Sequence, residues 1–243
     1  MKHLNQRSKL SQNLSGAVCN DCYSCQYHAL IEAALHRFIN EDKYLSELDV
    51  NERSQTHKLA EYIQHILPEY NVDCEYNKNL TTDKKINFEK IVDAIKSFVN
   101  NPQQNNFEQD HLSPLRSELD NQSKVYDENG FDEPTYLQFT SEFDKDKKYI
   151  KPVYPDIIAH LRGTNTNKIV IEAKKESNKA PKARLFDLIK LGLFTKQNGQ
   201  FGYEVGYFIE LPSKRIPDKF EIQFTPNNLV QNSNVFTVKI AAI

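Results

Sequence analysis

VYPDIIAHLRGTNTNKIVIEAKK, Val153 to Lys175, is the stretch from which the rest of the chain is read. PDIIAHL and KIVIEAK are rich in β-branched and apolar residues, and Arg162-Gly163-Thr164-Asn165-Thr166-Asn167 between them are turn formers. That pattern predicts a β-hairpin. Ile169-Val170-Ile171 is apolar on both faces of the pleat, which marks a central, buried strand. Asp156 begins the first strand and Glu172 ends the second, with fifteen residues between them. Glu172 and Lys174 are two apart, so their side chains leave the same face, while Ala173 turns into packing.

Working outward, Pro181 precedes a helix, KARLFDLIKLGLFTKQ, with Leu185, Leu188, Ile189 and Leu193 apolar and Gly199 after its end. YEVGYFIEL (203–211) reads as another strand, and EIQFT and VFTVKIA as two more at an edge or in a terminal hairpin. Upstream, Leu30, Ile31, Ala34, Leu35 and Phe38 recur at helical spacing within 27–38. A second helix follows Asn51, a cap residue, with Leu59, Tyr62, Ile63, Ile66 and Leu67 on one face and Pro68 ending it. VDCEY (72–76) suits a short strand. The stripe Phe88, Ile91, Val92, Ile95, Phe98, Val99 predicts one more helix inside a polar segment, about 78–150, that reads as an insertion. Residues 1–26 form a polar, Cys-containing leader, and 27–243 a single domain. The order helix, strand, strand, strand, helix, strand predicts an α/β class with a central mixed sheet flanked by helices.

Composition narrows the chemistry. The chain has 243 residues, 39% hydrophobic and 11% aromatic, enough for a packed core. With seven glycines, a glycine-rich nucleotide loop is not expected. No apolar run approaches about 18 residues and the amino terminus lacks the apolar middle of a secretion signal. A soluble cytoplasmic protein without a membrane partner is the expectation. Net charge is −2, but Lys168–Lys196 holds eight Lys/Arg against three acids. That local excess suits a phosphate backbone or, equally, a solvated helix face.

Hydrolysing a phosphodiester needs an activated water, charge neutralisation at phosphorus and help for the leaving oxygen. Divalent cations held by carboxylates supply the first two. Asp156 and Glu172, as hairpin neighbours, reach a single Mg²⁺ or Mn²⁺, with the Ala173 carbonyl as a further ligand. Lys174 beside them orients or deprotonates the water. Lys175 points to the opposite face and suits a backbone phosphate contact or solvation. Asp187 and Lys190 share a helix face, and a surface ion pair is the simpler reading, with Lys190 reaching the scissile region as the other.

Pro155-Asp156 followed by Glu172-Ala173-Lys174 resembles the signature of the PD-(D/E)xK nuclease superfamily, whose restriction-endonuclease-like fold has an αβββαβ core. Together with DVNERSQTHKLAEYIQHILPEYNVDCEYN (49–77), the motif is similar to uncharacterised prokaryotic members of that superfamily, over roughly 40–77 and 150–211. The resemblance implies catalysis by Asp156, Glu172 and Lys174, with Asp156 and Glu172 as metal ligands. It also implies an additional acid from the first core helix. Glu52 matches that position best, and Glu61 and Glu75 remain alternatives. Ser54 and His57 would line the cleft. Nucleic-acid contacts are expected from Lys175, His57, Lys182, Arg184 and Lys190.

Cys19, Cys22, Cys25 and His28 form a separate constellation with even spacing of three. Zinc accepts three thiolates and an imidazole, but on a continuous helix each step of three turns the ligand back by about 60°. Free thiols are therefore the expectation over a zinc site. The leading expectation is a Mg²⁺-dependent endodeoxyribonuclease, plausible in defence against foreign DNA, with a homodimer suited to double-strand cleavage. A catalytically silent nucleic-acid-binding or assembly subunit, and an RNA-directed nuclease, are the alternatives.

Overall fold

The central hairpin forms where the β-branched runs lie. In a computed structural model, which describes residues 23–80, 82–87, 150–178, 181–227 and 232–243, β6 (Ile157–His160) and β7 (Asn167–Lys175) pair antiparallel. Ile157 stands opposite Ile171 and Ile158 opposite Val170. Their flanking strands complete a six-stranded mixed sheet. β1 (Asn71–Cys74) pairs antiparallel with β6, and β8 (Val205–Leu211) runs parallel to β7. β10 (Val235–Ala242) lies parallel to β8, and β9 (Phe220–Asn227) closes the edge antiparallel to β10. The spatial order is β1-β6-β7-β8-β10-β9.

Helices cover both faces, as the doubly apolar β7 requires. α1 (Tyr23–Glu47) and α2 (Glu52–Ile66) pack on one face against Ile157, Ile169, Ile171, Ala173, Tyr207 and Ile209. α3 (Pro181–Thr195) packs on the other, where Leu188, Ile189, Leu191 and Phe194 meet Ile158, Val170 and Phe208. A Cβ added at Gly206 would stand 3.1 Å from Thr195 Cγ2, so the missing side chain lets β8 approach α3 closely.

α1 outruns its predicted bounds, 27–38, because its polar continuation is held by tertiary contacts. Asp42 leaves helical geometry (φ −127°, ψ 25°) and accepts the Tyr62 hydroxyl of α2. α2 starts as predicted: the Asn51 side chain accepts from Ser54 N at 2.8 Å. In the segment read as an insertion, β2 (Lys78–Asn79) pairs with β3 (Thr82–Asp83), and β4 (Lys85–Asn87) with β5 (Ile150–Pro152). In the second of these pairs Asn87 stands opposite Ile150. The predicted helix over Phe88–Val99 lies outside the described residues. No helix among the described residues is long and apolar enough to cross a membrane.

Candidate active site

Asp156, Glu172 and Lys174 share one side of the sheet, toward α3. The β6–β7 register, continued one residue beyond Ile157↔Ile171, sets Asp156 opposite Glu172, and directly opposed residues leave the same face. Asp156 Oδ2 accepts the Ala173 N–H at 2.8 Å, which fixes its carboxyl against the end of β7. Burial pushes the Asp156 pKa up, and the Ala173 bond and the nearby lysines only partly oppose it.

Glu172 is 1% exposed. Its Oε2 lies 2.8 Å from Lys190 Nζ, while Oε1 has no hydrogen-bond partner among the described residues. Burial raises the Glu172 pKa well above the usual carboxylate range; Lys190 opposes the shift, and Asp156 and Asp187 add to it. For Lys190, burial works against the charge, but Glu172 and Asp187 outweigh that and raise its pKa.

α3 brings Asp187 as well as Lys190. Asp187 Oδ1 is 3.2 Å from Lys190 Nζ, and Oδ2 is 3.1 Å from Lys174 Nζ, an ion pair without hydrogen-bond alignment. From the other side, Glu52 in the first turn of α2 places Oε1 3.1 Å from Lys174 Nζ and accepts the Lys175 main-chain N–H through Oε2 at 3.1 Å. Burial alone would lower the Lys174 pKa, but Asp187, Asp156 and Glu52 together raise it. The group thus holds four carboxyls (Glu52, Asp156, Glu172, Asp187) and two ammoniums (Lys174, Lys190). Fully ionised, it has two negative charges in excess. Lysines stand between the carboxylates, and no three acid, imidazole or thiol groups among the described residues form a ready metal-ligating set.

Of the three candidate acids, two on α2 and Glu75 just beyond β1, Glu52 alone joins this group. Glu61 pairs with Lys58, and Glu75 with Arg53. His57 and Ser54 are exposed on α2. Lys175 turns to the opposite face, as the pleat demands, and its ammonium meets Asp49 Oδ1 at 2.6 Å and the Asp49 and Val50 carbonyls.

Two expectations need correcting. Arg184, a candidate phosphate contact, is buried against Glu210 Oε1 at 2.5 Å and donates to the Asn178 carbonyl. Asp187 and Lys190 form a buried pair, 6% and 7% exposed, and not a surface one. The signal was present in DLIKLGLF: the helix is apolar nearly all round, so charges inside it are enclosed. Lys182's side chain lies outside the described residues.

Cys19, Cys22 and the side chain of Cys25 also lie outside them. The His28 ring stacks on Phe224 with centroids 4.5 Å apart and meets Phe236 edge-on at 4.3 Å. Its burial lowers the imidazole pKa to about 4. At the far end of β6, His160 Nε2 is 2.8 Å from Asp73 Oδ2, and Arg162 Nε donates to the same carboxylate at 3.0 Å, a polar knot that ties β1 to β6. Comparison of the chain with protein-family models, with curated proteins and with solved structures finds no match.

Proposed function

We propose that this chain is a Mg²⁺- or Mn²⁺-dependent nuclease of the PD-(D/E)xK type that hydrolyses DNA phosphodiester bonds. One observation carries the reading: Asp156, Glu172 and Lys174, from two strands, converge with Glu52 on a buried group that has two more acids than bases. The carboxyls are the kind of oxygen donor that a divalent ion takes, and one buried oxygen, Glu172 Oε1, has no hydrogen-bond partner among the described residues, although with the lysines in place no three of these groups form a ready ligand set. When bound, such an ion lowers the pKa of a coordinated water and neutralises charge at phosphorus.

Asp156 and Glu172 are the residues to hold it, with Glu52 in support. Each has a fixed orientation: Asp156 through Ala173 N, Glu172 through Lys190, Glu52 through Lys175 N. Lys174, held between Glu52 and Asp187, is placed to orient the attacking water and offset phosphate charge. With the four short strands β2 to β5 set aside, the remaining order α2-β1-β6-β7-α3-β8 is in keeping with the αβββαβ core that the resemblance implies. With Lys175 held by Asp49 and Arg184 by Glu210, His57 on the exposed surface of α2 and Lys182 are the candidate phosphate contacts. Double-strand cleavage with one such site per chain calls for a homodimer.

The test is cleavage of plasmid, linear DNA and RNA in Mg²⁺ by the wild type, Asp156→Asn and Lys174→Ala. Asparagine retains an acceptor for Ala173 N, so the Asp156 variant removes charge with little change of fold. DNA cleavage lost in both variants supports the reading. Cleavage of RNA alone reassigns the polymer. Binding without cleavage by any version overturns it in favour of a silent subunit.

A further inference from the structure

Lys190 has an unusual position for a buried lysine. Lys84, the other buried lysine among the described residues, donates to the main-chain carbonyls of Tyr76 and Lys78 and serves to fasten a turn. Lys190 instead divides its ammonium between two carboxylates, Glu172 at 2.8 Å and Asp187 at 3.2 Å. The two anchors differ in kind. Asp187 lies three residues away on the same helix, so that contact needs nothing from the sheet. Glu172 belongs to β7 and to the candidate metal site.

Resting on the nuclease reading, we propose that Lys190 is a positioning residue that stands in for the divalent ion: its tethered ammonium holds Glu172 until the ion arrives and then retires to Asp187. Burying the Glu172 carboxylate without a cation is costly, and Lys190 supplies one before any ion binds. An ammonium and a divalent cation cannot both sit close to that carboxylate without mutual repulsion, which is strong in a site screened from water. The flexible four-carbon stem allows a small swing, and Asp187 keeps the departing charge paired. Lys174 stays in place through Glu52 at 3.1 Å, so the site keeps one lysine for chemistry while the other yields.

The measurement is Mn²⁺ affinity of the full chain, followed by the electron paramagnetic resonance signal of free Mn²⁺ at constant neutral pH. Wild type, Lys190→Met and Glu172→Gln are compared. Removing the tethered competitor should tighten binding about tenfold or more, and Glu172→Gln should weaken it. A merely structural lysine would leave affinity unchanged or lower it. Should Lys190→Met fold poorly, the wild type answers alone: in a crystal structure with Mn²⁺ bound, the Lys190–Glu172 contact of 2.8 Å should open while the Asp187 contact persists. Equal affinity in wild type and Lys190→Met, with Glu172→Gln weaker, overturns this inference and leaves the nuclease reading standing. No Mn²⁺ binding by any version overturns both.

Discussion

Lys174 Nζ on β7 stands 3.1 Å from Glu52 Oε1 on α2, joining residues 122 positions apart in the chain. The contact closes the candidate site from the helix side, and the same carboxylate caps the Lys175 N–H, so Glu52 fixes both the lysine and the end of its strand.

Glu52→Gln should therefore act on activity more than on folding. Glutamine still accepts from Lys175 N but no longer balances Lys174. Mg²⁺-dependent cleavage is expected to fall about 100-fold through misplacement of the ammonium. The Glu52 side chain is 29% exposed, so stability should change by about 1 kcal/mol or less. Cleavage rate and Tm, measured on one preparation, separate the two effects.

Glu172 and Lys190 should behave as a coupled pair. Lys190→Met leaves a buried carboxylate without its cation and should cost about 3–5 kcal/mol in urea unfolding. The double variant Glu172→Gln/Lys190→Met should recover most of that loss. Simple addition of the two single effects would show that the residues do not interact.

His28 sets a pH dependence with a definite sign. Its folded pKa, about 4, lies below the ordinary 6.5, so the unfolded chain binds more protons between these values. The contribution to stability is present above about 6.5 and is lost as pH falls toward 4. Asp156 and Glu172, with raised pKa values, act in the opposite sense in acid, so the comparison must be differential. The Tm difference between wild type and His28→Phe, scanned from pH 7 to pH 4, should move steadily against the wild type. A flat difference would mean that the ring is not desolvated in the folded state.

Asn51→Ala removes the cap that begins α2. The lost bond to Ser54 N should cost about 1 kcal/mol, read as a lower Tm. Because Glu52 follows directly, the same change should lower cleavage, and Asn51→Asp should restore both.

Local chemistry made much of this protein legible. The turn formers at 162–167 and the β-branched runs beside them define the hairpin, because strand and turn preferences act over a few residues. Asn51 and Pro68 bracket α2 for the same reason. Parity along β7 was enough to put Glu172 with Lys174 and to turn Lys175 away. The doubly apolar run Ile169–Ile171 announced a strand covered on both sides, and α1, α2 and α3 cover it.

Other relationships depend on how distant elements pack. Helix phase relative to the sheet chose Glu52 over Glu61, and no local pattern contains that angle; Glu75, beyond β1, pairs with Arg53 instead. The destinations of Arg184 and Lys175 follow from Glu210 and Asp49, partners supplied by other elements. Above all, the sequence by itself determined a hairpin with Asp156, Glu172 and Lys174 on one face. Only the tertiary structure decided that Asp187 and Lys190 descend onto that face, because burial is a property of assembled layers. A charge on a helix is exposed or enclosed according to what lies against it.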